Sequence, residues 1–212
     1  MNTVIENLKK NNMEVYTLNS RGEVVPLLKS LLQKGDTVAV GGSKTLDEAN
    51  VLTLLRNGDY KFLDRYAEGL SREDVEEVFR KSFFADAYIS SANAVTEQGE
   101  IFNVDGNGNR VAALLFGPKR VFLVIGKNKI VKDLDEAVKR VSDIAAPLNT
   151  KRLSCDTYCE KKGKCAAKNT DAAHMTEGCA GPGRICCDYT VMAYQRKAGR
   201  VCVILVDEAL GF

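Results

Sequence analysis

Three stretches of the chain are apolar at consecutive positions, without polar alternation: TVAV (37–40), VFLVI (121–125) and VCVILV (201–206). A strand facing water on one side alternates, so unbroken runs belong to strands covered on both faces, the condition inside a parallel sheet flanked by helices. Between them the apolar period lengthens to that of a helix. Leu46, Ala49, Leu52 and Leu55 share one face of 45–58, and that pattern ends at an Asn-Gly stop. Val4, Ile5 and Leu8 give a first helix, residues 21–35 a second that stops at Gly35, and 71–85 an amphipathic one. Ser71 with Asp74 three residues on is an acidic form of the capping box. KDLDEAVKRVSDIAAPLN reads as a helix ended by Pro147. MEVYTL (13–18), ADAYISSANAVT and EIFNV add shorter strands, YKFLDRY (60–66) a short strand or loop, and NRVAALLFG a short buried helix. The order predicts an α/β fold with a mostly parallel sheet flanked by helices. Its ligands are expected at the loops that leave the strands.

The glycine-rich stretches lie at such loops. GGSKT (41–45) follows TVAV directly and precedes a helix, so Gly41, Gly42, Ser43 and Thr45, with Lys44, form either an anion site or a plain cap in which Ser43 or Thr45 is the N-cap. The P-loop and G-x-G-x-x-G spacings are both absent. VTEQGEIFNVDGNGNR turns back on itself before the buried helix. Within it Glu97, Asp105 and Arg110 are the ionisable groups of an apolar neighbourhood, hence candidates for acid, base or substrate clamp. The alternative is that Arg110 pairs with Asp105 to hold the loop.

At 212 residues with 45% hydrophobic and 27% charged, the chain is long and apolar enough for one globular domain over 1–212. Thirty basic against 28 acidic residues leave no excess to draw nucleic acid. No apolar run reaches the roughly 18–20 residues needed to cross a bilayer. Charges interrupt the amino-terminal apolar residues, unlike a signal peptide, which places the chain in the cytoplasm with its cysteines reduced or metal-bound.

Six of the seven cysteines fall in 154–190, where they sit among Gly, Lys and Asn with few large apolar residues, a stretch that cannot build much core of its own. It reads as an insertion, 151–190, before the last core strand. Thiolates holding zinc or an iron–sulfur cluster would order it. The preferred ligands are Cys159, Cys165, Cys179 and Cys186, separated by five, thirteen and six residues. Cys155 is a substitute for Cys159, and His174 is a further candidate. No pair has the two-residue spacing of zinc knuckles or ferredoxins, so a reduced loop or a redox thiol pair stays open beside the metal. Cys202, inside an apolar run, is read as a small buried hydrophobe.

GGSKT, the long segment from ADAYISS to NKIV, AVKRVSDIAAPLN and the final VILVDEALGF together resemble the lactate-utilization (LUD) domain family. The resemblance covers most of 36–150 and the carboxyl end. It implies a fold similar to the ribose-phosphate isomerase, glucosamine-phosphate deaminase and CoA-transferase group. It also implies a part in lactate oxidation as an auxiliary component of a multi-protein electron-transfer system, with other lactate-utilization subunits as partners and a small anionic ligand. Thr96, Gly99, Asn103, Gly106, Asn109, Gly117 and Lys119 fall in family-like motifs, as do the residues of GGSKT. Cysteine-bearing members place thiols similarly. The competing expectation is a stand-alone enzyme on the same fold using Glu97 or Asp105 as acid, base or nucleophile.

Overall fold

The computed structural model describes residues 1–169 and 174–212; residues 170–173, inside the expected insertion, lie outside the described residues. Helix α1 (Asn2–Lys10) leads to β1 (Glu14–Leu18), then α2 (Val24–Leu31), β2 (Thr37–Val40), α3 (Lys44–Glu48), α4 (Val51–Asn57) and β3 (Lys61–Leu63). α5 (Arg72–Lys81) precedes β4 (Ala87–Ser90), β5 (Ala94–Thr96) and β6 (Ile101–Asp105). α6 (Asn109–Leu115), β7 (Arg120–Gly126), β8 (Ile130–Val131), α7 (Leu134–Arg140), α8 (Ala146–Arg152) and α9 (Tyr158–Lys162) follow, and β9 (Asp188–Met192) and β10 (Val201–Val206) complete the chain.

Six strands form one sheet in the order β1–β10–β7–β4–β2–β3, every neighbouring pair parallel. The unbroken apolar runs explain themselves there. Along β10, Val201, Val203 and Leu205 enter one core while Cys202, Ile204 and Val206 enter the other; β7 divides Val121, Leu123 and Ile125 from Phe122 and Val124 in the same way. Cys202 is fully buried, and burial pushes its thiol up to about 12, so it behaves as an apolar side chain.

The chain leaves this sheet at Ser91–Asn93. A second sheet, β8–β5–β6–β9, pairs β5 with β6 and β6 with β9 antiparallel, and packs Phe102 and Val104 against Ala137 and Val141. Short strands of this kind give no sign in the sequence that they belong to a separate sheet.

Three helix expectations change. The helix expected over 45–58 is two, because Asn50 takes the left-handed conformation, φ 56°, between α3 and α4. The helix expected to reach Gly35 ends at Leu31. Pro147 ends nothing: a π turn over Val141–Ala145 widens the backbone ahead of it, and the proline sits in the first turn of α8, where its missing N–H costs least. The Ser71 capping box forms, with its hydroxyl accepting from Asp74 N at 3.1 Å and the Asp74 carboxylate accepting from Ser71 N at 2.9 Å.

Since β10 lies between β1 and β7, an Ile204→Ala change opens a void at the centre of the sheet. It is expected to cost about 2–5 kcal/mol. Phe84, 88% exposed, should tolerate Phe84→Ala within about 0.5 kcal/mol. Urea unfolding of the two variants reads the difference.

Candidate functional site

A cavity of about 510 Å3 opens at the carboxyl ends of the parallel strands. Gly42, Ser43 and Lys44 come to it from the exit of β2, Ser91 and Asn93 from the exit of β4, and Asp105, Gly106 and Asn109 from the β6–α6 connection. Its far wall is the π turn and the chain beyond α8.

Arg110, the second residue of α6, organises this end of the molecule. Its Nε donates to Asp105 Oδ1 at 3.1 Å, one terminal nitrogen to Asn103 Oδ1 at 2.7 Å and Ser91 O at 3.3 Å, and the other to Asn93 Oδ1 at 3.0 Å and Val104 O at 2.8 Å. All five guanidinium donors are thereby engaged. Asp105 is engaged too, since its second oxygen accepts from the Arg110 backbone N–H at 3.1 Å. The pair holds the loop, and its donors are not left for a substrate. Asn103 is fully buried, and its Nδ2 has no acceptor among the described residues.

Gly41 is required by this arrangement. A Cβ there would lie 2.5 Å from Ser90 Oγ and 3.1 Å from Arg110 Cδ, so only glycine lets the arginine stem cross the exit of β2. Ser43 is at the N-cap position of α3, but its hydroxyl makes no capping bond. Thr45 is turned inward, where its hydroxyl donates to Leu210 O at 3.3 Å and accepts from Lys129 Nζ at 2.9 Å.

Lys129 stands out from the other lysines. It borders the cavity, is 3% exposed, and has Ser91 Oγ at 3.0 Å as its second acceptor. Burial, with Arg140 and Arg110 nearby and only Glu48 opposing, brings its ammonium down to about 7. Sequence reading passed over it. A lysine just past the end of a buried strand and before an apolar pair is the only signal the sequence offered.

Other expected residues sit elsewhere. Thr96 ends β5 and Glu97 begins the turn to β6: the Thr96 hydroxyl bonds Glu100, and Glu97 is exposed with its carbonyl held by Asn7. Gly99 packs against the backbone of α1, where a Cβ would come within 2.7 Å of Leu8 N. Lys119 pairs with Asp86 at 2.7 Å, and Gly117 packs on Phe83. None of these lines the cavity.

A second cavity, of about 140 Å3, is lined by Cys159, Cys165, Cys179 and Cys186, with His174 also on its wall. Burial, then the thiols of Cys159, Cys165 and Cys179, push Cys186 up to about 12; burial and Cys159 raise Cys179 as well. The Cys159 sulfur has the Thr157 and Thr150 hydroxyls at 3.4 and 3.5 Å. Among the described residues no three His, Cys, Asp or Glu side chains converge as a metal-holding group. The donor set nonetheless suits a thiolate-binding metal, and such sites commonly close only as the metal binds. Cys155 lines the larger cavity instead, and Cys187 is exposed. Val141, Ala146, Arg184 and Cys186 line both cavities.

A six-stranded parallel α/β core with a cation-rich cavity at its strand ends and a thiol-lined cavity beside it defines the class. The chain belongs to the LUD domain family, whose model matches residues 1–206, and so is a protein of the lactate-utilization type. A solved structure of a DUF162 family protein from Deinococcus radiodurans is similar, at 13% identity over 97% of this chain and 94% of that one, with a TM-score of 0.52; at that identity the likeness establishes the fold. No curated protein matches the chain. Among the described residues no helix is long and apolar enough to cross a membrane.

Replacing Arg110 by Met leaves Asp105 Oδ1 and Asn103 Oδ1 without the side-chain donor they have, and is expected to cost about 3–5 kcal/mol. Arg110→Lys should recover only part of this, because an ammonium cannot reproduce the fork. Urea unfolding of both variants is the measurement.

Lys129 predicts a pH dependence. Below about pH 7 folded and unfolded chains both hold the proton, and the burial penalty is felt in full. As pH rises above this, the folded protein releases the proton while the unfolded chain retains it, so stability climbs by up to ~1.4 kcal/mol per pH unit until the ordinary lysine range is reached. The Lys129→Met variant should lack that rise. Unfolding curves of the wild type and variant near pH 6.5 and pH 9 test this.

Proposed function

We propose that this chain is an auxiliary, cytoplasmic component of a multi-protein lactate-oxidising system, with a small anionic ligand in the larger cavity and a metal centre held by Cys159, Cys165, Cys179 and Cys186. In this reading residues 1–212 act as one unit and 151–190 are an insertion whose thiols are ordered by the metal. The observation that carries it is the wall common to both cavities, in which Arg184 and Cys186 face the anion cavity and the thiol cavity together. An iron–sulfur cluster would supply one-electron transfer at that wall, whereas zinc would supply a structural staple. The chain's own contribution is positional. Arg184 donates to Cys179 O at 3.3 Å and Cys186 O at 2.8 Å, which fixes the backbone bearing two of the thiols.

The stand-alone enzyme reading rests on Asp105 alone, because Glu97 is remote from the cavity. Asp105 has both oxygens bonded to Arg110, so its carboxylate is engaged within the loop and not presented to a substrate.

Anaerobic purification followed by iron, sulfide and zinc analysis and a visible spectrum tests the proposal. Bound metal should fall sharply in each of the four Cys→Ser variants and stay near wild type in Cys202→Ser. Full occupancy in all four variants, or no metal when iron and zinc are both supplied, defeats the metal centre. Turnover of lactate by the purified chain without partner proteins would defeat the auxiliary role.

A further inference from the structure

The larger cavity carries more positive charge than its own carboxylate can balance. Lys44, Arg65, Arg110, Lys129, Arg152 and Arg184 line it, against Asp105 as the one acidic side chain on the wall among the described residues. Asp105 is taken by Arg110. Among the described residues Lys129 has two hydroxyls as hydrogen-bond partners and no carboxylate, although it is 3% exposed. A buried ammonium in that state is unfavourable, and a ligand anion removes the penalty. The size of the cavity points the same way. At about 510 Å3 it falls among ligand pockets of roughly 300–1,000 Å3, far more than a three-carbon hydroxy acid fills.

We propose that the cavity binds a ligand bearing two acidic groups, carboxylate or phosphate, and that one of them is received by Lys129, which takes up a proton as the ligand enters. The inference rests on the cavity being the ligand site and adds the charge class of what it holds. It makes Lys129 a binding residue and leaves Arg110 as the group that positions the loop around it.

The groups acting on Lys129 define the linkage. Arg140 from α7 and Arg110 from α6 disfavour its charge, Glu48 from α3 favours it weakly, and Thr45 and Ser91 offer hydroxyls to either form. Arg140 is committed to the carbonyls of Asn93 and Asn128. Glu48 accepts from the backbone N–H of Gly211. In the free protein the amine is therefore largely neutral above about pH 7. An arriving anion restores the proton. Affinity is then flat on the acidic side and falls on the alkaline side, by at most about tenfold per pH unit.

The test is calorimetric titration of the full chain with malonate and with phosphoglycolate, against acetate as the single-charge control. Titrations at pH 6.5 and 8.5, the latter in two buffers of different ionisation heat, count protons. Expected are binding of one or both of these diacidic ligands at least ten times tighter than acetate, uptake approaching one proton per ligand at pH 8.5, and loss of both the uptake and the alkaline decline in Lys129→Met. Preference between malonate and phosphoglycolate assigns the group as carboxylate or phosphate. Binding of either diacidic ligand without proton uptake in the wild type overturns the role of Lys129, whether or not the variant folds. Acetate binding as tightly as malonate and phosphoglycolate overturns the charge class. Absence of binding by all three at either pH overturns the cavity as an anion site, and with it the ligand in the proposed function.

Discussion

The guanidinium of Arg110 ties the loop leaving β4 to strand β6 and to the start of α6. Its five donors end on the loop leaving β4, on strand β6 and on the Asp105 carboxylate. The first of these follows a strand of the six-stranded parallel sheet and the second belongs to the four-stranded one, so one planar cation bridges the two sheets at the mouth of the cavity. Arginine suits this position because its fork is rigid and its charge is retained when partly buried. Gly41 is the complementary condition. Without a bare backbone at the exit of β2 the arginine stem could not lie where it does.

Much of this was legible in the sequence, for a definite physical reason. VFLVI and VCVILV are apolar on both faces, and only a strand covered by helices on both sides can use such a run; the chain duly places them next to each other at the centre of a parallel sheet. The second sheet was not legible. AVT and IFNVD pair antiparallel within it, and nothing in so few residues separates them from strands of the larger sheet. Helix ends were misjudged where one residue's backbone decided the matter. Asn50 breaks a sound amphipathic pattern by adopting positive φ, and a π turn carries the helix past Pro147.

At the site, glycines and short polar residues marked the loops, because unusual backbone conformation leaves a compositional trace. Lys129 left none. Its character comes from burial between Thr45, Ser91 and the chain near Gly211, residues distant in sequence that the parallel sheet gathers at one end. Asp105 and Arg110 were recognisable as chemistry-bearing residues, but only their geometry shows that they satisfy one another. The cysteines lie between these cases. Their clustering in sequence was plain, while the meeting of four of them at one cavity depends on the fold of a segment that has little core.

That segment also shapes the larger cavity, through Cys155, Gly183, Arg184 and Cys186, although the sheet contributes the opposite side. The wall of the cavity and the core of the parallel sheet are thus built by different stretches of one chain. β7 and β10 hold the sheet together, and the segment beyond α8 closes part of the cavity wall. Substitutions at the exposed positions of that wall can therefore change the shape and charge of the cavity while the parallel sheet is left untouched, so one surface can vary on an unchanged scaffold.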